Sequence, residues 1–119
     1  MDVDFDILIQ QERAKVSPTL NHVSSSQMDI CVCVRKRPLF EKETMAGEID
    51  ATTCSNPKII VHEPKLKVDG ITKYINSVGF NFDNTYSEHE DSSDLYNYQI
   101  KDLLPSIFQK GVVTLFAYG

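Results

Sequence analysis

Two short stretches concentrate the side chains that could do chemistry. The first is Arg35-Lys36-Arg37-Pro38. Side chains of an extended chain alternate between faces, so Arg35 and Arg37 share one face and Lys36 takes the other. Two guanidinium planes and a flat pyrrolidine ring at the mouth of a strand suit a flat aromatic ligand such as a purine, because arginine stacks on rings and pairs with phosphate. The plainer alternative is a set of solvated charges closing a strand. The second stretch is Lys65-Leu66-Lys67-Val68-Asp69-Gly70, set off by Pro64 on one side and ended by Gly70. From Lys58 to Lys73, four lysines stand against Glu63 and Asp69, a local positive excess in a chain of net charge −5. With Leu66 and Val68 among the charges, this reads as a basic finger with apolar points that would meet an acidic protein surface, where complementary charge steers association. The plainer alternative is an ordinary hairpin tip.

Other chemistry is not supported. There is no glycine-rich phosphate loop, no lysine placed for a β/γ-phosphate and no catalytic triad. His22, His62 and His89 are isolated on polar segments and are expected to be solvated. Cys31, Cys33 and Cys54 are an odd set that makes neither a disulfide framework nor a plausible zinc site, and are expected to pack as small hydrophobes. With 119 residues, 41% apolar and 24% charged, the chain is sized for one small domain with a core. Its acidity argues against nucleic-acid binding. No apolar run is long enough for a membrane span, and the acidic start lacks the pattern of a secretory signal, so a cytosolic protein is expected.

These side chains depend on the elements that carry them. Asp4–Val16 reads as a helix with Phe5, Leu8 and Ile9 near helical spacing, stopped at Ser17-Pro18. Asn21–Gln27 is polar and serine-rich, so it reads as a linker to a domain beginning near Met28. Ile30–Val34 is apolar on both faces and predicts a central strand buried on both sides, ending at Pro38. Leu39–Gly47 looks irregular. Short strands are expected over Glu48–Cys54 and Lys58–Glu63, the latter broken by Pro64. Ile71–Asn76 is ambiguous between helix and extended chain, and Val78–Asp83 alternates like a strand. Asn84–Asp91 reads as an acidic surface loop. A helix then starts at Ser92 or Ser93, with an apolar stripe of Tyr96, Ile100, Leu103, Leu104, Ile107 and Phe108. Pro105 should kink it, and Lys110-Gly111 should close it. Val112–Tyr118 predicts a further buried strand. Strand, crossover helix and strand make a parallel α/β unit, with ligands expected at the carboxyl ends of the strands.

In order along the chain, CVCVRKRP, HEPKLKVD, TKYI, FNFDNTY, IFQKG and FAYG resemble the kinesin motor domain, over about Met28 to Gly119. The likeness is closest to the internal-motor class that depolymerises microtubules. It implies a neck helix and linker over residues 1–28 and the N-terminal portion of a motor domain over 29–119. The implied fold is that of a P-loop NTPase-like motor, a mixed central sheet flanked by helices, truncated before its phosphate loop.

The resemblance also assigns roles. Arg35, Arg37 and Pro38 would line the adenine pocket, and Gly119 would be the first glycine of a phosphate loop of the form GQTGxGKT. Lys67, Val68 and Asp69 would be the tip of the finger that reaches tubulin. The departures are Gly70, which looks like an insertion after that triplet, and Pro105. The implied function is a fragment of an ATP-dependent microtubule motor or depolymerase, with tubulin and microtubules as partners and ATP with Mg2+ as cofactor of the complete domain. Neither nucleotide nor metal is expected to bind this fragment tightly, since the ATPase chemistry resides in the phosphate loop and magnesium ion. The expected location is cytoplasmic and cytoskeletal, on microtubules, with spindle or cilium as candidate sites. Homodimerisation of the full-length protein stays open. The competing reading is a naturally short, non-catalytic tubulin-binding module.

Overall fold

A computed structural model describes residues 3–119. Helix α1 spans Val3–Ala14, within two residues of the expected limits. Asp4 and Asp6 sit in its first turn and Arg13 in its last, each where the helix dipole favours that charge. Its Ile9 is fully buried. The helix packs against strands β3 (Lys58–Leu66) and β4 (Lys73–Asn81). Polar contacts fix both ends. Arg13 donates from Nε to Thr53 Oγ1 at 3.0 Å and from Nη2 to the carbonyls of Asp50 (2.8 Å) and Thr52 (3.2 Å). Asp4 meets Lys73 Nζ at 3.1 Å.

Strand β2 (Thr52–Ser55) completes an antiparallel sheet of order β2-β3-β4. The β3–β4 ladder runs from Lys58↔Asn81 to Leu66↔Lys73, whereas β2 covers only the stretch Lys58–Val61. Pro64 was expected to end β3 and does not. His62 N donates to Ala51 O at 2.8 Å, so alternate amides from His62 onward face the β2 side. Pro64 lies beyond the end of β2, so its missing N–H costs no ladder bond. The ambiguous stretch after Ile71 is extended and joins β4 from Lys73.

The second sheet is a parallel pair, β1 (Cys33–Arg35) with β5 (Asn84–Tyr86). Here two expectations are corrected. The apolar run Ile30–Val34 is not a doubly buried central strand: the strand starts at Cys33, and Ile30 and Val32 are 81% and 52% exposed. It pairs with β5 on one edge only. Asn84–Tyr86 is not surface loop but the most buried strand of the fold. Asn84 accepts from Val23 N (3.0 Å) and donates to Val23 O (2.7 Å), and Thr85 N donates to Asn56 Oδ1 (2.7 Å). Burial of these polar groups is stable because each is bonded.

The helical region is interrupted as Pro105 requires. Between β1 and β2, a short helix α2 (Glu41–Met45) occupies a segment expected to be irregular. Helix α3 (Ser92–Gln99) is capped by Asp91, whose carboxylate accepts from Asp94 N, with Asp94 returning a bond to Asp91 N. A 3-10 turn over Lys101–Leu103 leads into α4 (Leu104–Phe108), where Pro105 sits in the first turn and needs no donor. The predicted strand Val112–Tyr118 does not form. Those residues form no regular element and have no ladder partners among the described residues, and Val112, Phe116 and Tyr118 are about fully exposed, at 91%, 88% and 106%. The α/β class holds, with parallel and antiparallel pairs plus helices. Among the described residues no helix is long and apolar enough to cross a membrane.

His22 and His62 are not solvated. His22 stacks on Tyr86, centroids 4.4 Å apart, with Nε2 2.8 Å from Thr85 O. His62 is 1% exposed and links α1 to all three strands of its sheet. Arg13 donates to Thr53 Oγ1, which lies 2.8 Å from His62 Nε2; His62 Nδ1 lies 2.8 Å from Ser77 Oγ, which donates to Glu12 Oε2 at 3.5 Å. We assign the Nδ1–H tautomer, so that Thr53 donates to Nε2 and His62 to Ser77. Burial first, and then the nearby Arg13, push the His62 pKa down. The unfolded chain then binds more protons than the folded one, so the stability this ring contributes is lost as pH falls from about 6.5 toward the lower folded value. In the full-length protein, the protection of α1 amides against hydrogen exchange, corrected for the intrinsic slowing of exchange in acid, is expected to fall between pH 7.5 and 5.5. This change is expected to be largely absent in His62→Gln.

Candidate functional site

Strand β1 delivers Arg35 and then the chain leaves the sheet, with Lys36 N donating to Tyr86 O at 2.8 Å. Alternation separates Arg35 from Lys36, but Arg35 and Arg37 do not converge as one strand face would require, because the chain leaves the sheet after Arg35. Arg35 is exposed and donates to Ser92 Oγ at 3.1 Å, at the start of α3. Lys36 turns inward. Its ammonium contacts Asp50 Oδ2 (2.8 Å), Thr52 O (2.8 Å) and Glu88 Oε2 (3.1 Å). Burial pushes the Asp50 and Glu88 carboxyls up, but hydrogen bonds, Lys36 among the donors, outweigh it and hold both below the usual range. Arg37 makes a two-pronged pair with Glu43 on α2, at 2.8 and 2.7 Å, and its guanidinium lies 4.1 Å over the Phe40 ring. The Arg37 bond, helped by Phe40 N, holds the Glu43 carboxyl at about 2.

Arg37 and Pro38 line one side of an open hollow of about 450 Å³, with Lys36, Leu39, Ala51 and Thr52 among its other walls. Arg35 and Gly119 are not part of that wall. The hollow thus brings together two of the four residues expected to hold a nucleotide. It offers a planar cation and a flat ring, which suits a base. It does not suit phosphates, because its lysine is already held by two carboxylates. Lys36, Asp50 and Glu88 were missed from sequence. The available signal was the lone basic side chain directly after β1, between two arginines, which on turning inward must find carboxylate partners.

The other expected site is the β3–β4 tip. Lys67 N donates to Thr72 O (2.9 Å) and Gly70 N to Lys67 O (2.8 Å), closing the turn. Gly70 has φ +72°, the left-handed region glycine enters without strain, and open space surrounds its missing Cβ. Lys67 is exposed and Val68 fully so, at 108%. Leu66 and Ile71 add exposed apolar surface on either side. Asp69 behaves differently: its carboxylate turns back onto Ile71 and Thr72. The three expected tip residues are therefore together and exposed, but the Asp69 carboxylate is already bonded within its own turn.

A family model described as the kinesin motor domain matches residues 35–119. The chain belongs to the kinesin motor domain family. The matched span starts at Arg35 and takes in the hollow beside Arg37, the hairpin tip and both helices that follow β5. Helix α1 and the linker precede it. Membership places the chain among microtubule motors. It does not by itself choose a class within the family.

Lys36 gives a direct test of the hollow's electrostatics. Lys36→Met is expected to destabilise the fold by about 1–3 kcal/mol at pH 7, because two partly buried carboxylates lose their shared cation. Thermal melts should show the deficit shrinking toward pH 4, as Asp50 and Glu88 take up protons.

Proposed function

We propose that this kinesin works as an ATP-dependent microtubule depolymerase, with the β3–β4 hairpin as the element that engages tubulin. The observation that carries this reading is the hairpin itself: a nine-residue ladder, Lys58–Leu66 against Lys73–Asn81, ending in an exposed lysine and a fully exposed valine. A stiff arm with an apolar point and a positive charge suits an acidic partner surface with a shallow apolar site. The Lys67-Val68-Asp69 triplet matches the depolymerising class by resemblance, and its placement at the very end of a projecting arm supports that reading.

ATP with Mg2+ is proposed as the nucleotide of the motor. Arg37 and Pro38, with Arg35 nearby in sequence, would pack the base, and ATP, when bound, would supply the β–γ phosphoanhydride bond whose hydrolysis drives the cycle. This chain's part is to bind and orient the base: Arg37 is held flat by Glu43 and Phe40, and Lys36 is kept neutralised. A cytoskeletal location on microtubules follows from the same reading.

The test is the double variant Lys67→Ala/Val68→Ala in the full-length protein. Release of tubulin from stabilised microtubules is expected to fall about tenfold, the scale of losing one interface hot spot, with circular dichroism and melting unchanged. The wild-type rate should also fall as salt rises, because an exposed Lys67 is screened. Undiminished release by the double variant would contradict the proposal.

A further inference from the structure

We propose that Asp69 is a positioning residue: its carboxylate shapes the hairpin tip from within, and Lys67 and Val68 alone meet the partner. This rests on the tubulin-engaging reading above. Asp69 Oδ1 accepts from Ile71 N and Thr72 N, both at 2.8 Å, and Oδ2 accepts from Thr72 Oγ1 at 2.6 Å. Three donors of the same turn therefore converge on one exposed carboxylate. These bonds, Thr72 first, hold its pKa below the usual carboxylate range, so the group stays ionised and engaged across physiological pH.

Although exposed, the carboxylate is taken up by donors of its own turn, so it orders the loop before contact. The two backbone bonds, Lys67 N to Thr72 O and Gly70 N to Lys67 O, close the ring from the other side. A tip ordered in advance loses less conformational freedom on binding, which raises affinity with no added contact.

Asparagine separates shape from charge. In Asp69→Asn, Oδ1 still accepts from both amides and the Nδ2 amine donates to Thr72 Oγ1, so the turn persists while the charge is gone. Intact mass is checked first, because an Asn-Gly pair deamidates. With the full-length protein and stabilised microtubules, Asp69→Asn is expected to keep tubulin release within about twofold of wild type. Asp69→Ala should lower it about tenfold and quicken hydrogen exchange at the Ile71 and Thr72 amides. Thr72→Val, which loses one of the three bonds, should fall between them. If Asp69→Asn is as impaired as Asp69→Ala while exchange at Ile71 and Thr72 stays slow, the carboxylate charge itself contacts the partner and the positioning role is overturned. Wild-type release by Lys67→Ala/Val68→Ala in the same assay would instead overturn the tubulin-engaging reading, and this proposal with it.

Discussion

A single antiparallel ladder, β3 on β4, sets what the rest of the chain must do. Its outer half has no third strand, because β2 stops at Thr52 opposite Val61. A free two-stranded ribbon is marginal in water, so something must stiffen it. Helix α1 does so. It lies along the hairpin with Asp4 paired to Lys73 near the tip and Arg13 clamped to Thr53 and Asp50 near the root. Phe5 adds its ring under Lys73, 5.2 Å from the ammonium. A segment that resembles a neck is thereby a splint for the arm, and the His62 bonds fasten the two together midway.

The root of the arm is held by Asn56. Nearly fully buried at 2% exposure, it donates to Leu20 O (3.0 Å) and Asn21 O (3.1 Å) and accepts from Thr85 N (2.7 Å). One side chain thus joins the segment after α1, the β2–β3 turn and strand β5. Since β5 pairs with β1, the same contact relates the arm to the strand that delivers Arg35, Lys36 and Arg37. Removing it would leave several buried polar groups without partners, which costs more than the bonds themselves contribute.

Much of this was legible in the residues. Helix α1, the KIIVHE strand, the alternation through Phe80 and the helix after Asp91 follow from local spacing, and the ordered motifs pointed to the family that the match over 35–119 shows. What was not legible depends on distant partners. Asn84–Tyr86 looks like loop because its residues are polar, yet Asn84 and Thr85 find bonds across the fold and Tyr86 stacks on His22. His22 and His62 look solvated for the same reason. Val112–Tyr118 looks buried, yet no described neighbour offers it a ladder. In the candidate sites, types and spacing located the hairpin tip and the Arg37-Pro38 wall. They did not reveal that Asp69 bonds back onto its own turn or that Lys36 is shared by two carboxylates, because both follow from a turn and a register that spacing alone does not specify.

The central claim is that the arm's tip is the surface that meets tubulin. Site-specific photo-crosslinking tests it most directly, with a photoreactive residue at position 68 of the full-length protein and, separately, at position 45 on α2, whose Met45 is 82% exposed. The account predicts that the probe at position 68 joins to tubulin on microtubules far more efficiently than the probe at position 45. Equal labelling from both positions, or labelling from position 45 alone, would contradict it.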